Sequence, residues 1–459
     1  MKKYLFVIIA ISFTACSQVP QESISATAIL ITDANIIDVN SGSIIEKQQI
    51  VVDSGKIKRI TDTVINPESY TTVIEGNGKY IIPGLAEMHA HIPPPSTSQE
   101  RIEEVLYLYL SNGITTIRGM LGHSSHLKLR EQVVQGKILG PRIFTSSPSL
   151  NGNSIKTKEE AVTKVMAYKK EGYDFLKIHP GIQLEVFNQV VKTANEVGIT
   201  FSGHVPVDVG VRNALKSKYA SIDHVDGFLE GLVPESEKVN PVDNGFFGYN
   251  FTPLADESKI DELVQLTATN KVWIVPTQSL YERWFSPISA DILLKDPEMK
   301  YMPASTLLNW QQRKGQYTEE NPNFNEEQWN QFNNIRRKLI KSLQDSGCGI
   351  LLGSDAPQLF NVPGFSIHHE IDGMIKAGLT PFQILQSGTI NPARFFNKEN
   401  DFGQVKEGLD ADLVILDANP ISNIKSLQQI HGVMVKGAWL SREIIDTKLK
   451  EIAKNAANN

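Results

Sequence analysis

Between residues 81 and 355 the chain alternates short β-prone apolar runs with stretches of helical periodicity, and eight such runs can be counted. They are Ile81–His89, Ile114–Gly119, Arg142–Ser146, Phe175–His179, Thr200–His204, Ser221–His224, Val272–Thr277 and Ile350–Asp355. Most intervals carry an amphipathic helical pattern; Leu184 to Gly198 is one, with apolar residues at helical spacing and a closing glycine. Strands that alternate with helices imply parallel βα units. Eight units predict a (β/α)8 (TIM) barrel, in which chemistry gathers at the C-terminal ends of the strands. The interval between the seventh and eighth strands is far longer than one helix requires. Its Asn/Gln-rich part, residues 309–334, reads as an inserted helical lid, the whole insertion covering about 281–335.

Outside the barrel the pattern changes. Residues 28–80 read as short strands punctuated by Ser54-Gly55 and Gly76-Asn77-Gly78, and similar strands recur in 411–418 and 432–440. The expected organisation is a small β-sandwich module built from 28–80 and 402–445, flanking a barrel of residues 81–401. With 45 basic against 51 acidic residues the net charge is −6, and no long basic run marks the chain, which argues against a nucleic-acid partner. Two cysteines, Cys16 and Cys348, cannot form a disulfide framework or a thiolate metal site.

The N-terminus reads as an export signal: Lys2 and Lys3, an apolar run from Tyr4 to Phe13, then Thr14-Ala15-Cys16. The run is about half of the ~20 residues needed to span a bilayer. Cys16 at the cut site resembles the lipobox of bacterial lipoproteins, with Phe13 where leucine is usual. The expectation is therefore a signal peptide over 1–16, a tether over 17–27, and a lipid anchor at Cys16 as the only membrane contact, with plain secretion as the alternative, placing the protein in a bacterial-type cell envelope.

Five of the eight strand ends carry a group able to bind metal. His89 and His91 stand two apart, so they point to the same side of a strand. Lys177, His204, His224 and Asp355 close the fourth, fifth, sixth and eighth strands. A single histidine at a strand end is commonly structural; the joint pattern is what points to a site.

That ordered set resembles the metal-dependent amidohydrolase superfamily, in its prolidase-like and imidazolonepropionase-like branch. The resemblance rests on "PGLAEMHAH", "GITTIRG", "GPRIF", "FLKIH", "GHV", "DH" and "GSDA", in that order along the barrel. It implies two divalent metal ions, usually zinc, with His89, His91 and Asp355 holding one, His204 and His224 the other, and Lys177 bridging both as a carbamate. A lysine ammonium would repel Zn²⁺, whereas a carbamate brings negative charge and two oxygens. The implied reaction is attack by a metal-bridging hydroxide on a polarised carbonyl, with Asp355 as proton shuttle. Val207 stands where mononuclear deaminases of this fold place a glutamate, which favours hydrolysis over deamination.

The implied substrates are small and carry a carboxylate: Xaa-Pro dipeptides or N-acyl amino acids, with lactones and cyclic amides as the alternative. Arg118 is the expected carboxylate holder and His179, on the face of Lys177, a second substrate contact. A non-catalytic binding barrel is the reading from another class. His123 and His126 are expected at the surface, His368 and His369 against solvent or the barrel wall. Tyr281, Arg283 and Trp284 are expected to line the pocket under the lid. An oligomer is left open.

Overall fold

Gly84 divides the first predicted strand into two that serve different sheets. The computed structural model describes residues 27–458; the expected signal peptide, Cys16 and all but the last residue of the expected tether lie outside the described residues. The strands, in chain order, are β1 (Ile29–Ile37), β2 (Ile44–Asp53), β3 (Lys56–Thr61), β4 (Thr72–Glu75), β5 (Tyr80–Pro83), β6 (Leu85–Ala90), β7 (Ile114–Gly119) and β8 (Arg142–Leu150). They continue with β9 (Phe175–Ile178), β10 (Thr200–Gly203), β11 (Ser221–Asp223), β12 (Trp273–Val275), β13 (Leu413–Leu416), β14 (Ile430–Val435) and β15 (Ala438–Ser441). A Cβ at Gly84 would stand 2.0 Å from Thr115 Oγ1, so only glycine lets the chain pass from β5 in one sheet to β6 in the other.

β6 to β12 form a parallel sheet in sequence order. Residues 350–356 close it as the eighth strand: Ile350 bridges Ile274 on one side and Ala356 bridges Ala90 on the other, both parallel. The helices between strands end as the sequence implies. Thr157 and Glu160 make a capping box at the start of Lys158–Glu171, and Leu184–Val197 stops at Gly198 in the left-handed conformation.

The terminal strands assemble into one eight-stranded mixed sheet that branches at β1, whose first half pairs with β4 and second half with β5. Ile31, Ile50, Val52, Ile74, Ile81, Leu413, Ile415 and Met434 form its own core. Arg142, at the start of a barrel strand, bonds Asp410 and Asp412 and lies over Phe402, tying this module to the barrel. A C-terminal helix, Arg442–Ala457, was not expected from the sequence; Asn455 bonds Glu104 on the helix Gln99–Ser111.

The insertion is shorter than its sequence bounds. Asn325 caps a 20-residue helix, Glu326–Asp345, whose buried Phe332, Arg336 and Leu339 make it part of the barrel wall rather than of a lid. The helix Ala304–Tyr317 is the piece that reaches the barrel mouth. Among the described residues no helix is long and apolar enough to cross a membrane.

Candidate metal centre

His89, near the end of β6, and His91, just past it, both line the cavity at the barrel mouth, beyond a register shift between Glu87 and Ala90. His89 Nε2 and His91 Nε2 stand 3.4 Å and 2.6 Å from Asp355 Oδ1, and ligand atoms of these three residues all lie within 4.8 Å of one another. The ring centroids of His89 and His224 are 4.6 Å apart, as are those of His204 and His224. Lys177 is buried among them. All six residues predicted as ligands therefore face one cavity of about 540 Å³ at the C-terminal mouth of the barrel.

Several of these side chains reach the axis through unusual backbone. His224 (φ +67°), Val225 (φ +54°), Thr277 (φ +46°) and Asp355 (φ +64°) are non-glycine residues in the left-handed region. Such conformations cost of order 1–3 kcal/mol each and persist where the surroundings over-determine them. Here they turn the chain sharply at three strand ends.

The polar atoms of the site are arranged as a metal site requires. His204 Nδ1 pairs with Asp226 Oδ2 at 3.1 Å, and His224 Nδ1 with Thr277 Oγ1 at 2.8 Å, which leaves Nε2 of each ring free to act as a ligand. Lys177 Nζ is wholly buried with no hydrogen-bond partner, and its nearest carboxylate oxygen, Asp223 Oδ2 at 3.9 Å, is likewise unpartnered. Burial lowers the pKa of Lys177 to about 8 against the opposing pull of Asp223 and Asp355. Burial also holds the pKa values of His89, His204 and His224 well below the usual range, so the rings are neutral and able to ligate. Orphaned nitrogens and oriented neutral imidazoles fit the divalent metals that the resemblance implies.

Four residues lie elsewhere than the sequence implies: Arg118, Arg283 and Tyr281 do not line the cavity, and His126 is buried. Arg118 does not reach the cavity: it is 0% exposed and donates to Met88 O at 2.6 Å, Ser221 Oγ at 2.9 Å and Asp223 Oδ1 at 2.8 Å. Its guanidinium lies between the Phe175 and Phe395 rings inside the barrel, so it supports the site from below and cannot hold a substrate carboxylate. Arg283 is similarly occupied by Phe360 O and Asp296 Oδ2. Tyr281 is buried, with the Arg336 guanidinium 3.4 Å from its ring centroid. His126 is buried against Pro93 O, while His368 contacts Asn112 and His369 contacts Glu298.

His179 does line the cavity, its Nδ1 held by Ser149 Oγ at 2.6 Å. Trp284 lines it too.

Sequence reasoning passed over Asp223 and Asp226, which flank His224 by one and two residues. Burial would raise the pKa of Asp223, but Arg118 and then Lys177 outweigh it and hold the group below the ordinary carboxylate value. Asp226, with less compensation, is pushed up to about 7 by burial. The signal available was the pair of acids bracketing a candidate ligand in "DHVD". Phe247 was also missed. It is held at φ +52°, and its ring centroid stands 5.3 Å from that of His224 and 5.7 Å from that of His204, roofing one side of the site with apolar surface.

Known proteins agree with this architecture. The chain is 33% identical over 90 residues to the dihydroorotase of Carboxydothermus hydrogenoformans, covering 19% of this chain and 20% of that protein. The curated relatives it matches are thus aligned over about a fifth of their own length. Among solved structures, a bottromycin amidohydrolase superposes with a TM-score of 0.69 at 20% identity, over 93% of this chain and 90% of that one. A Xaa-Pro dipeptidase with bound methionine in its active site gives 0.63 at 19% identity, over 90% and 100%. These likenesses speak for the fold. The model of the amidohydrolase family matches residues 80–440, most of the chain, and the protein belongs to that family.

Proposed function

We propose that the protein is a binuclear metal-dependent hydrolase that cleaves an amide-like C–N bond in a small carboxylate-bearing substrate, a dipeptide of Xaa-Pro type or an N-acyl amino acid. The observation that carries this reading is the convergence of four histidines, three of them (His89, His204 and His224) held neutral by burial, with Asp355 and a buried, unpartnered Lys177 Nζ on one cavity. His89, His91 and Asp355 would hold one ion, His204 and His224 the other, and Lys177, as a carbamate, both. Divalent metals of this kind, zinc foremost, supply Lewis-acid polarisation of a carbonyl and bring the pKa of water towards ~7.

The chain's own residues supply the rest. Asp355, whose Oδ1 faces His91 Nε2, is placed to accept a proton from the attacking water and return it to the leaving nitrogen. Asp226 and Thr277 keep the ring planes of His204 and His224 in register. His179 presents its free nitrogen towards the cavity. Phe247 and the lid-helix residues Arg313 and Tyr317 wall one side of the cavity. Export and a lipid anchor at Cys16 are proposed on the sequence of residues 1–16 alone.

Elemental analysis and turnover of the same preparations test the proposal. Wild type should bind two equivalents of zinc and cleave members of a dipeptide and N-acyl amino acid panel. Lys177→Ala should lose most of both, with partial rescue by small carboxylates. Full activity in Lys177→Ala would defeat the two-metal reading, and cleavage of lactones or cyclic amides alone would move the substrate to the alternative class.

A further inference from the structure

With Arg118 sealed inside the barrel, the mouth of the cavity offers a different guanidinium. Arg313 is an exposed residue of the lid helix Ala304–Tyr317, and it is the one arginine lining the site cavity among the described residues. No carboxylate of the described chain pairs with it; its recorded neighbour is the Trp284 ring, whose centroid lies 5.8 Å from Arg313 Cζ. Trp284 lines the same cavity, is 8% exposed, and its Nε1–H is buried without an acceptor. A buried donor that lacks a partner costs free energy unless a ligand supplies one.

The two residues are also held to one another. Lys314, the next residue on the helix, is 0% exposed and donates to the carbonyls of Arg283 at 3.0 Å, Trp284 at 2.8 Å and Ser286 at 2.9 Å. One ammonium thus binds the backbone that carries Trp284 to the helical turn that carries Arg313. Phe246 and Tyr317 pack edge-on against Trp284, at 5.1 Å and 5.0 Å between ring centroids, completing an apolar wall. An unpaired guanidinium, an unpaired indole N–H and an aromatic wall, locked together above a hydrolytic site, describe a receptor for an anion attached to an apolar body.

We propose that Arg313 and the Trp284 indole N–H form the subsite that takes the substrate's carboxylate, with the adjoining aromatic wall selecting a bulky apolar side chain. The proposal rests on the hydrolase reading for what happens next in the cavity, but the subsite itself is a matter of binding. It makes the lid a determinant of specificity: substrates ending in a free acid should be favoured over the same molecules ending in a neutral amide.

The test uses the zinc-loaded protein with two readouts. Calorimetry compares L-phenylalanine with L-phenylalaninamide, neither of which carries an N-acyl bond. Acetate release compares N-acetyl-L-phenylalanine with its carboxamide. A partly exposed charge-assisted pair should favour the acid by on the order of tenfold. Arg313→Ala should erase that preference by weakening the acid alone, raising KM with kcat nearly unchanged, and Arg313→Lys should restore part of it. Trp284→Phe, which keeps a ring but removes the N–H, should lower the preference without abolishing it. Equal affinity of wild type for acid and amide, absence of measurable acid binding, or an intact preference in Arg313→Ala would overturn the subsite. Acid-selective binding that depends on Arg313, with no amide cleaved by any preparation, would uphold the subsite and defeat the hydrolase reading instead.

Discussion

Asp223→Asn probes the buried ion pair beneath the candidate metal centre. Asp223 and Arg118 are both 0% exposed, with Nη2 and Oδ1 2.8 Å apart. At an effective dielectric constant of about 20, two unit charges at that separation attract by about 6 kcal/mol. Asparagine keeps an acceptor, and Arg118 retains its bonds to Met88 O and Ser221 Oγ, so part of this is recovered. Removing one partner of a buried pair costs about 3–5 kcal/mol, because the other charge is left uncompensated, and that is the loss expected here. Urea unfolding of the metal-stripped protein, followed by tryptophan fluorescence, measures it without interference from metal affinity. The double variant Arg118→Met with Asp223→Asn should be markedly less destabilised than the sum of the singles, since it removes both charges. A loss below about 1 kcal/mol for Asp223→Asn, or additivity in the double variant, would refute the claim that this pair supports the site.

Three further outcomes are expected. Asp226→Asn should weaken zinc binding by about 10- to 100-fold in a chelator competition titration, because Asp226 Oδ2 orients His204; unchanged affinity would remove that role. Lys314→Met should leave three carbonyls without their donor, at about 1–3 kcal/mol each, so limited proteolysis within residues 287–325 should accelerate while circular dichroism stays the same. Glu370 is a buried carboxyl group raised to about 7 by burial, with Oε2 accepting from Ser279 N. A raised acid binds more protons folded than unfolded between its unfolded pKa near 4.5 and about 7. Its contribution is therefore present at low pH and lost as pH rises through that window. Glu370→Gln should match wild type near pH 4.5 and be progressively more stable than it towards pH 7; a constant difference would show that Glu370 does not titrate there.

The convergence of the six candidate ligands on one cavity was legible because strand ends are a one-dimensional signal. His89 and His91 follow from the period of two along β6, and Lys177, His204, His224 and Asp355 each close an apolar run that can be counted. Barrel topology then brings strand ends together whatever the helices between them contain, so the order of the runs sufficed to predict one site. The composite terminal module was legible for a related reason: short punctuated strands at both ends have edges that need partners.

What surrounds the ligands was not legible. Arg118 and Arg313 are each an arginine beside apolar residues, and nothing local distinguishes the one sealed under the site from the one facing the cavity. Their fates depend on contacts across 105 residues for Arg118 with Asp223, and on the anchoring of Lys314 to carbonyls about 30 residues away. The end of the lid insertion was hidden because Glu326–Asp345 and Ala304–Tyr317 are both polar-rich helices, and only packing separates wall from lid. The left-handed backbone at His224 and Asp355 carries no sequence mark, since neither position is a glycine. Periodicity and strand-end chemistry, being local, determined the barrel and its candidate ligands; burial and pairing between distant segments decided which charges are structural and which face the cavity.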